Sequence, residues 1–294
     1  MKEVVVLSGK GGTGKTSLSA ALCDLAQNNG IGENGLVIVD ADVDASNLQL
    51  ILSPEILEEG EFSGSDLAWI NPAICSQCGT CQEVCRFEAV NLQDGQYVID
   101  RFACEGCAAC YYQCPEGAIE MQKRTAGEWY QSSSRFGMMF HAHLYAGQEN
   151  SGKLVAFIKE KARAFAGESN PELVLVDGPP GVGCPVISAI SGADFALMAA
   201  EPSLAGIHDL ERVLDTANQF NVPAGVVINK FDINKSGTEK IHQICRERKI
   251  GILGQIPFDL NVTRAMVSGN PVTSIFPESP ASQAINEIWN QLRE

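Results

Sequence analysis

Short apolar runs alternate with longer amphipathic stretches along this chain of 294 residues. Runs such as VVVL at 4–7 and LVIV at 36–39 contain no polar position, which is typical of strands buried on both faces. Stretches such as 208–220 and 238–248 instead repeat apolar positions at helical spacing. This alternation predicts an α/β fold, a doubly wound and mostly parallel sheet with helices on both faces.

The C-terminal segment, residues 282–294, has an apolar stripe at helical spacing, formed by Ile285, Ile288, Trp289 and Leu292. Its only basic residue is Arg293, whereas a helix that lies on a membrane surface needs a basic polar face. We therefore expect a packed final helix.

A glycine-rich loop follows the first predicted strand. Residues 9–16 read GKGGTGKT, and a helix-forming segment, residues 17–28, comes next. The loop matches G-x-x-x-x-G-K-[ST], in which backbone N–H groups surround phosphates, Lys15 meets the outer phosphates and Thr16 offers its hydroxyl to Mg²⁺. Strand, loop and helix occur in the required order, so the sequence predicts nucleotide binding.

Two cysteine runs interrupt this pattern. Each reads C-x-x-C-x-x-C-x-x-x-C, the spacing of bacterial ferredoxins, and the two align as an internal repeat. In ferredoxins each cluster takes three thiolates from one run and the fourth from the other. The spacing predicts two [4Fe-4S] clusters, one on Cys75, Cys78, Cys81 and Cys114 and the other on Cys104, Cys107, Cys110 and Cys85.

Disulfides or structural zinc are the alternatives for so many cysteines. A zinc site usually takes two separated pairs of ligands, whereas each run here supplies four cysteines within eleven residues. One departure from the ferredoxin pattern is Arg86, which follows Cys85 where the second run has Pro115. This departure concerns the turn that follows Cys85, whereas the ligand itself is present.

The cysteine module is an insertion, because the nucleotide-binding pattern begins before it and resumes after it. We expect a P-loop ATPase domain formed by residues 1–65 and 123–294, with a small α+β ferredoxin-like domain at residues 66–122. The module leaves the core just after the acidic loop at residues 40–47. Because that loop must rearrange around the γ-phosphate, nucleotide state is expected to reposition the clusters.

The glycine-rich loop carries an additional lysine, Lys10, directly before two glycines. With it the chain resembles the MinD/ParA/Mrp family of deviant Walker ATPases, whose loop reads K-G-G-x-G-K-[ST]. The likeness extends over essentially the whole chain, to members with an inserted ferredoxin module. It implies that Lys10 reaches the nucleotide of the partner subunit in a homodimer or related heterodimer. It implies that the nucleotide is held by Gly11, Gly12, Thr13, Gly14, Lys15, Thr16 and Ser17.

Acidic residues follow two further predicted strands, in DADVD at 40–44 and DGPPG at 177–181. By the same resemblance, Asp42 polarises the attacking water, Asp40 lies near Mg²⁺ and Asp177 holds a Mg²⁺-bound water. With Lys10 and Lys15, Asp42 completes the expected catalytic set.

Recognition of the base leaves two nucleotides open. The resemblance implies that Asn229 hydrogen-bonds adenine and that Pro257 and Asp259 form the second wall of the base pocket. The sequence N-K-x-D at 229–232 is also the guanine-reading pattern of GTPases, because an aspartate can accept from both N1–H and the exocyclic amine. The Lys10 loop favours ATP over GTP.

Composition limits the partners and the compartment. The formal net charge is −15, which argues against a nucleic-acid partner. No apolar run is long enough to span a membrane, and no signal peptide is visible. With eleven cysteines, this predicts a reducing cytoplasm.

Five residues outside these motifs could also carry chemistry or simply pack. Cys184 could be a further redox or metal ligand, but a buried small hydrophobe is favoured for it, as for Cys23 and Cys245. His141 and His143 lie two apart in a strand-like run, so we expect them to face the same way. Ordinary packing is favoured for them over a ligand role.

Two classes of function remain. In the first, the protein is an ATP-gated iron-sulfur protein that delivers electrons to a redox partner or assists assembly of a metal cofactor. In the alternative, it is a positioning or scaffold ATPase of the cell-division and partition type, with structural clusters. The ferredoxin-pattern cysteines, the acidic charge and the absence of a basic amphipathic tail favour the first.

Overall fold

A computed structural model gives the fold and describes residues 2–31, 35–148 and 150–293. The strands of the described residues are β1 (Lys2–Ser8), β2 (Leu36–Asp40), β3 (Glu55–Ser63), β4 (Leu67–Ile70), β5 (Val90–Gln93), β6 (Gln96–Ile99), β7 (Ile119–Gln122), β8 (Thr125–Ser134), β9 (Gly137–Leu144), β10 (Leu173–Pro180), β11 (Phe195–Ala200), β12 (Ala224–Asn229) and β13 (Gly251–Ile256).

The helices of the same residues include one short 3₁₀ turn, Phe231–Ile233, ahead of the eighth α-helix. The α-helices are α1 (Lys15–Asn28), α2 (Leu48–Leu52), α3 (Thr80–Glu83), α4 (Ala109–Gln113), α5 (Ser151–Ser169), α6 (Cys184–Ile190), α7 (Leu204–Gln219), α8 (Lys235–Arg248), α9 (Leu260–Val267), α10 (Val272–Ile275) and α11 (Pro280–Arg293).

Nine strands form one large sheet in the order β13-β12-β11-β1-β10-β2-β9-β8-β3. Every neighbouring pair from β13 to β9 is parallel, which confirms the large, mostly parallel sheet expected of an α/β P-loop fold. Asp177 on β10 pairs with Asp40 on β2, and Asp40 pairs with His141 on β9. The register therefore brings the two acidic motifs side by side at the carboxyl edge, where α/β sheets bind ligands.

The central strand β1 is buried on both faces, as its unbroken apolar run predicts. Val4 and Val6 belong to a core that includes side chains of α1 and α11, and Val5 and Leu7, which alternate with them, are equally buried. The final helix contributes Trp289, Ile285, Ile288 and Leu292 to that core, so the expectation of a packed C-terminal helix is confirmed.

The chain divides into two compact units. The first comprises residues 1–60, 129–143 and 151–294, and the second comprises residues 61–128 and 144–150. The second contains two antiparallel strand pairs, β4 with β7 and β5 with β6. Its own small core is lined by Ala68, Ile70, Cys81, Val90, Cys110 and Ile119.

Among the helices of the described ranges, none combines the length and the apolar character that crossing a bilayer requires.

Candidate functional site

The glycine-rich loop turns sharply between β1 and α1. Gly12 and Gly14 adopt positive φ angles of 79° and 90°, which a residue with a Cβ rarely adopts, and Gly14 is the N-cap of α1. Helix α1 then starts at Lys15, and the half-buried Thr16 follows in its first turn. Backbone N–H groups at such a helix start form a site for an anion.

Lys15 lies among the acidic residues of both predicted motifs. Its Nζ is 3.1 Å from Asp177 Oδ1 and 3.5 Å from Asp42 Oδ2, and its side chain is buried. Burial opposes the charged form of Lys15, but the carboxylates of Asp177, Asp42 and Asp40 outweigh it and hold the pKa of this ammonium above its usual value. Lys15 therefore stays charged at this edge of the sheet.

Asp177 offers one carboxylate oxygen that has no partner. Its Oδ1 accepts hydrogen bonds from Lys15 and from Ser19, at 2.8 Å for Ser19 Oγ. Its Oδ2 is buried and accepts no hydrogen bond from any described residue. A buried carboxylate oxygen without a donor fits Mg²⁺ or a Mg²⁺-bound water.

Asp40 is fully buried and fixes the acidic loop. It accepts hydrogen bonds from Ser46 Oγ at 2.7 Å, from the N–H of Leu48 at 3.1 Å and from the N–H of Asp42 at 3.2 Å. Burial, followed by the neighbouring Asp177, raises the pKa of this carboxyl well above its usual range. A cation placed here would therefore be strongly stabilised, which suits the expected role of Asp40 near Mg²⁺.

Asp42 lies next to this pair. Burial raises the pKa of its carboxyl, Lys15 opposes the rise and Asp177 adds to it. Asp40, Asp42, Asp177 and Lys15 thus form one cluster, although three separate sequence motifs supply them.

Lys10 does not point away from its own chain. Its Nζ lies 3.2 Å from Glu201 Oε1 and 3.0 Å from Ser203 Oγ. The other carboxylate oxygen of Glu201 accepts from Lys230 Nζ at 3.1 Å. Glu201 belongs to none of the sequence motifs, although its position directly after strand β11, at the carboxyl edge, is a signal of a functional residue.

Asn229 and Lys230 are attached to the glycine-rich loop. The amide Nδ2 of Asn229 donates to Thr13 O at 2.6 Å, and Lys230 Nζ donates to Gly12 O at 3.3 Å. A Cβ on Gly14 would lie 2.3 Å from that Nδ2, so a glycine is needed for this close approach. The start of the N-K-x-D sequence therefore supports the phosphate loop.

The carboxylates of Asp232 and Asp259, near the expected base pocket, accept hydrogen bonds from backbone N–H groups. Asp232 Oδ1 accepts from the N–H of Phe258 at 2.7 Å, which connects the N-K-x-D sequence to the loop with Pro257. Asp259 is the N-cap of α9 and accepts from the N–H of Asn261 at 2.8 Å. Ser17 faces the same region, since its Oγ lies 2.8 Å from Met266 Sδ.

Eight cysteines of the second unit line two separate cavities. In each cavity three cysteines come from one run and the fourth from the other. The first is lined by Cys75, Cys78, Cys81 and Cys114, and the second by Cys104, Cys107, Cys110 and Cys85. These sets are the two that the ferredoxin spacing predicts.

The cysteines do not converge as ligands of a single ion would. Within the described ranges, no three His, Cys, Asp or Glu side chains are close enough to hold one metal ion. A tetrahedral ion with bonds of about 2.3 Å needs its sulfurs about 3.8 Å apart. A four-iron cluster binds each thiolate on a different iron and so separates its sulfurs further than a single ion does.

The structure corrects the expectation for Cys184 and gives His141 and His143 different environments. Cys184 is exposed rather than buried, because it is the first residue of α6, where the chain leaves the buried strand β10; Cys23 and Cys245 are buried as expected. His141 is buried, lies 2.9 Å from Ser132 Oγ and stacks on Tyr130, whereas His143 is exposed. Although they lie two apart on β9, the two histidines therefore have different environments.

Comparison with known proteins agrees with this geometry. A family model described as the CobQ/CobB/MinD/ParA nucleotide binding domain matches residues 4–272. An uncharacterised protein of Methanocaldococcus jannaschii is 34% identical, covering 99% of this chain and 96% of its own.

Solved structures show the same fold at lower identity. The cell-division ATPase MinD of Pyrococcus furiosus is 16% identical, with a TM-score of 0.60 over 99% of this chain and 98% of its own. The septum site-determining protein MinD of Pyrococcus horikoshii, complexed with Mg-ADP, is 16% identical, with a TM-score of 0.58 over 100% and 96%.

Proposed function

Because the chain belongs to the CobQ/CobB/MinD/ParA family of nucleotide-binding domains, we propose that it is a Mg²⁺-dependent ATPase that hydrolyses ATP as a dimer. The observation that carries the proposal is the position of Lys15 Nζ, 3.1 Å from Asp177 and 3.5 Å from Asp42. These three groups are the ones that must meet the outer phosphates, the metal ion and the attacking water. A Pyrococcus horikoshii relative was solved with Mg-ADP, which supports the nucleotide and the metal.

The chemistry follows from the charges of the cluster. Phosphate oxygens would replace the two carboxylates as partners of Lys15, which is held charged for this purpose. Asp177 Oδ2, with Asp40 and the Thr16 hydroxyl, would hold Mg²⁺ and its waters. Asp42 would then be free to orient the attacking water, and Lys10 of a second copy would stabilise charge on the transferred phosphoryl group.

ATP rather than GTP is proposed as the substrate. Asp232, the residue that would read guanine, already accepts the N–H of Phe258 with one of its two oxygens. Reading both N1–H and the exocyclic amine takes both oxygens of a carboxylate. Each carboxylate oxygen can accept more than one hydrogen bond, so this contact does not decide the base; the Lys10 loop and the Mg-ADP complex of the Pyrococcus horikoshii protein support adenine.

We propose further that the cysteine module, assigned to residues 66–122, holds two [4Fe-4S] clusters, and the two four-cysteine cavities support this. Two backbone N–H groups also point at ligand sulfurs: Ala89 donates to Cys85 Sγ and Ala118 donates to Cys114 Sγ, both at 3.3 Å. When bound, such a cluster can take up or pass on one electron. The residues present fit the group.

Coupling between nucleotide and clusters is proposed from chain connectivity. The loop that Asp40 organises runs through Ser46 into α2, and the chain enters the module soon afterwards. A change of that loop around the γ-phosphate would reach the module through α2 and β3. This supports delivery of electrons to a redox partner, or cofactor assembly.

The alternative is a positioning or scaffold ATPase in which the clusters only stabilise the module. It is favoured by the family itself, since a structural relative is a cell-division ATPase. Both functions use the same ATP cycle, so they are separated by what happens at the cysteines.

One experiment separates them. Protein purified without oxygen would be assayed for ATP hydrolysis, for dimer mass with ADP or ATP, and for iron and sulfide. ATP-dependent dimers with iron that becomes more accessible to a chelator in ATP than in ADP support the coupled function. If the chelator removes iron at the same rate from apo, ADP-bound and ATP-bound protein, the scaffold function is supported instead. If the protein neither hydrolyses ATP nor forms ATP-dependent dimers, the proposed ATPase is rejected.

A further inference from the structure

We propose that the two cysteine cavities are inequivalent, and that a cluster in the first is reduced at a higher potential than one in the second. The inference rests on the proposed clusters and adds an order of electron uptake to them. It depends on side chains other than cysteine. Three hydroxyl-bearing residues line the first cavity, Ser76, Thr80 and Tyr97, whereas none is found among the described residues that line the second.

The internal repeat gives each position in one half an equivalent in the other. Cys75 aligns with Cys104, and the other three cysteines of the first run align with those of the second at the same offset. Much of the surroundings is the same in both halves. Ile70 lines the first cavity where Ile99 lines the second, and each half contributes one backbone N–H to a ligand sulfur at 3.3 Å. The backbone therefore does not distinguish the sites.

The hydroxyl groups break this symmetry at equivalent positions. Thr80 in the first half corresponds to Ala109 in the second, and Tyr97, counted back from the second run, corresponds to Ala68. All four residues line the cavity of their respective site. At both positions the first cavity has a hydroxyl where the second has a methyl group.

One distance places the Thr80 hydroxyl at a ligand sulfur, and a second places the Tyr97 hydroxyl beside the loop that carries the ligands. Cys78 Sγ lies 3.4 Å from Thr80 Oγ1, within hydrogen-bond reach for sulfur. The Tyr97 hydroxyl lies 3.0 Å from the point where a Cβ on Gly79 would stand, and Gly79 itself lines the first cavity between Cys78 and Cys81. Once Cys78 is a thiolate, the Thr80 hydroxyl can only donate to it, so this contact stabilises negative charge.

The glutamates in the lining and the exposure of the ligand cysteines are similar in the two cavities. Each cavity has one glutamate in its lining, Glu116 in the first and Glu105 in the second. The buried ligands Cys81 and Cys110 are exposed to 7% and 9%, and Cys78 and Cys107 are both exposed. Among the lining residues, charge and ligand exposure are therefore similar, and the side-chain hydroxyls near the sulfurs are what differs.

The consequence is a direction for electrons. Reduction adds one negative charge to a cluster, and donors aimed at its sulfurs stabilise that charge. A low-potential one-electron donor that supplied a single electron would then reduce a cluster in the first cavity before one in the second. A cluster in the second cavity would be the stronger reductant, and a cluster in the first would retain the electron.

The test is a redox titration of the anaerobically purified full-length protein, followed by electron paramagnetic resonance. The wild type should show two one-electron steps. Thr80→Val combined with Tyr97→Phe should lower only the higher midpoint, by about tenfold in the one-electron equilibrium constant or about 59 mV. The reciprocal variant Ala109→Thr adds a hydroxyl to the second cavity and should raise only the lower midpoint.

The outcomes separate two failures. Wild-type protein that binds no iron and sulfide overturns the proposed clusters and this inference with them. Full clusters with coincident wild-type midpoints, or a higher step that stays unchanged in the Thr80→Val and Tyr97→Phe variants, overturn the inference alone. Thr80→Val and Tyr97→Phe are nearly isosteric, and iron content equal to wild type in each single variant confirms that the module is folded.

Discussion

Lys10 Nζ lies 3.2 Å from Glu201 Oε1 within the same chain. Burial opposes the charged form of Glu201, but hydrogen bonds from Lys230 and Lys10 outweigh it and keep the pKa of this carboxyl below its usual value. The lysine proposed to reach the partner subunit's nucleotide is therefore held in its own subunit, and we expect this contact to break when Lys10 acts in a dimer.

Neutralising Glu201 should ease that step. We expect Glu201→Gln to tighten ATP-dependent dimerisation two- to fivefold, because a partly exposed ion pair is worth about 0.5–1 kcal/mol. Sedimentation of the protein at several concentrations with ATP measures the dimer constant. Glu239→Gln, which removes the exposed pair with Arg246, is the control. Weaker or unchanged dimerisation in Glu201→Gln would show that the contact does not restrain Lys10.

The two lysines of the loop should fail differently. Lys15→Ala removes the buried charge beside Asp177 and Asp42, so we expect loss of ATP binding by at least about a hundredfold. Lys10→Ala leaves that cluster intact and should retain ATP binding while hydrolysis and ATP-dependent dimerisation are lost. Isothermal titration and phosphate release measure the two effects. Normal hydrolysis by Lys10→Ala would exclude a role for it at either nucleotide.

The apolar runs correctly predicted β1, β2 and β10, because strands buried in a parallel sheet have a strong local pattern. The sequence also predicted which cysteines share a cavity, since the repeat spacing determines the crossed sets. It could not predict that Glu201 holds Lys10, because the two are 191 positions apart and meet only through the order of β1 and β11 in the sheet. Nor could it predict the exposure of Cys184, which depends on where β10 ends.

Asn229 should affect ATP affinity through the loop. Asn229→Ala removes the 2.6 Å hydrogen bond to Thr13 O, and we expect about tenfold weaker ATP binding, since one such bond is worth about 1 kcal/mol or somewhat more. Titration with ATP, ADP and GTP measures the change. Gln243→Ala, at an exposed amide that bonds Glu247, is the matched control. A loss confined to adenine nucleotides would instead show that Asn229 reads the base.

His141 should make the fold sensitive to mild acid. Burial lowers the pKa of its imidazole from 6.5 to about 4. Between these two pH values the unfolded chain therefore binds a proton at this side chain and the folded chain does not. Stability is complete above about pH 6.5 and falls as the pH drops toward 4. At pH 5.5 the loss from this residue should be about 1 to 2 kcal/mol.

Denaturant unfolding at pH 7.5 and 5.5 measures this contribution. The difference between the two pH values should shrink in His141→Gln and persist in His208→Gln, which removes an exposed histidine of α7. An equal difference in both variants would mean that His141 is not the group responsible.

Mixed dimers of Lys10→Ala and Lys15→Ala chains test the central claim, ATP hydrolysis across a dimer interface, most directly. In such a dimer the Lys10→Ala chain keeps its own Lys15 and receives Lys10 from the other chain, so one complete site forms. Each variant alone should be inactive, and mixing them should restore phosphate release to a fraction of the wild-type rate. A mixture that forms heterodimers and stays as inactive as its components would contradict action of Lys10 on the partner's nucleotide.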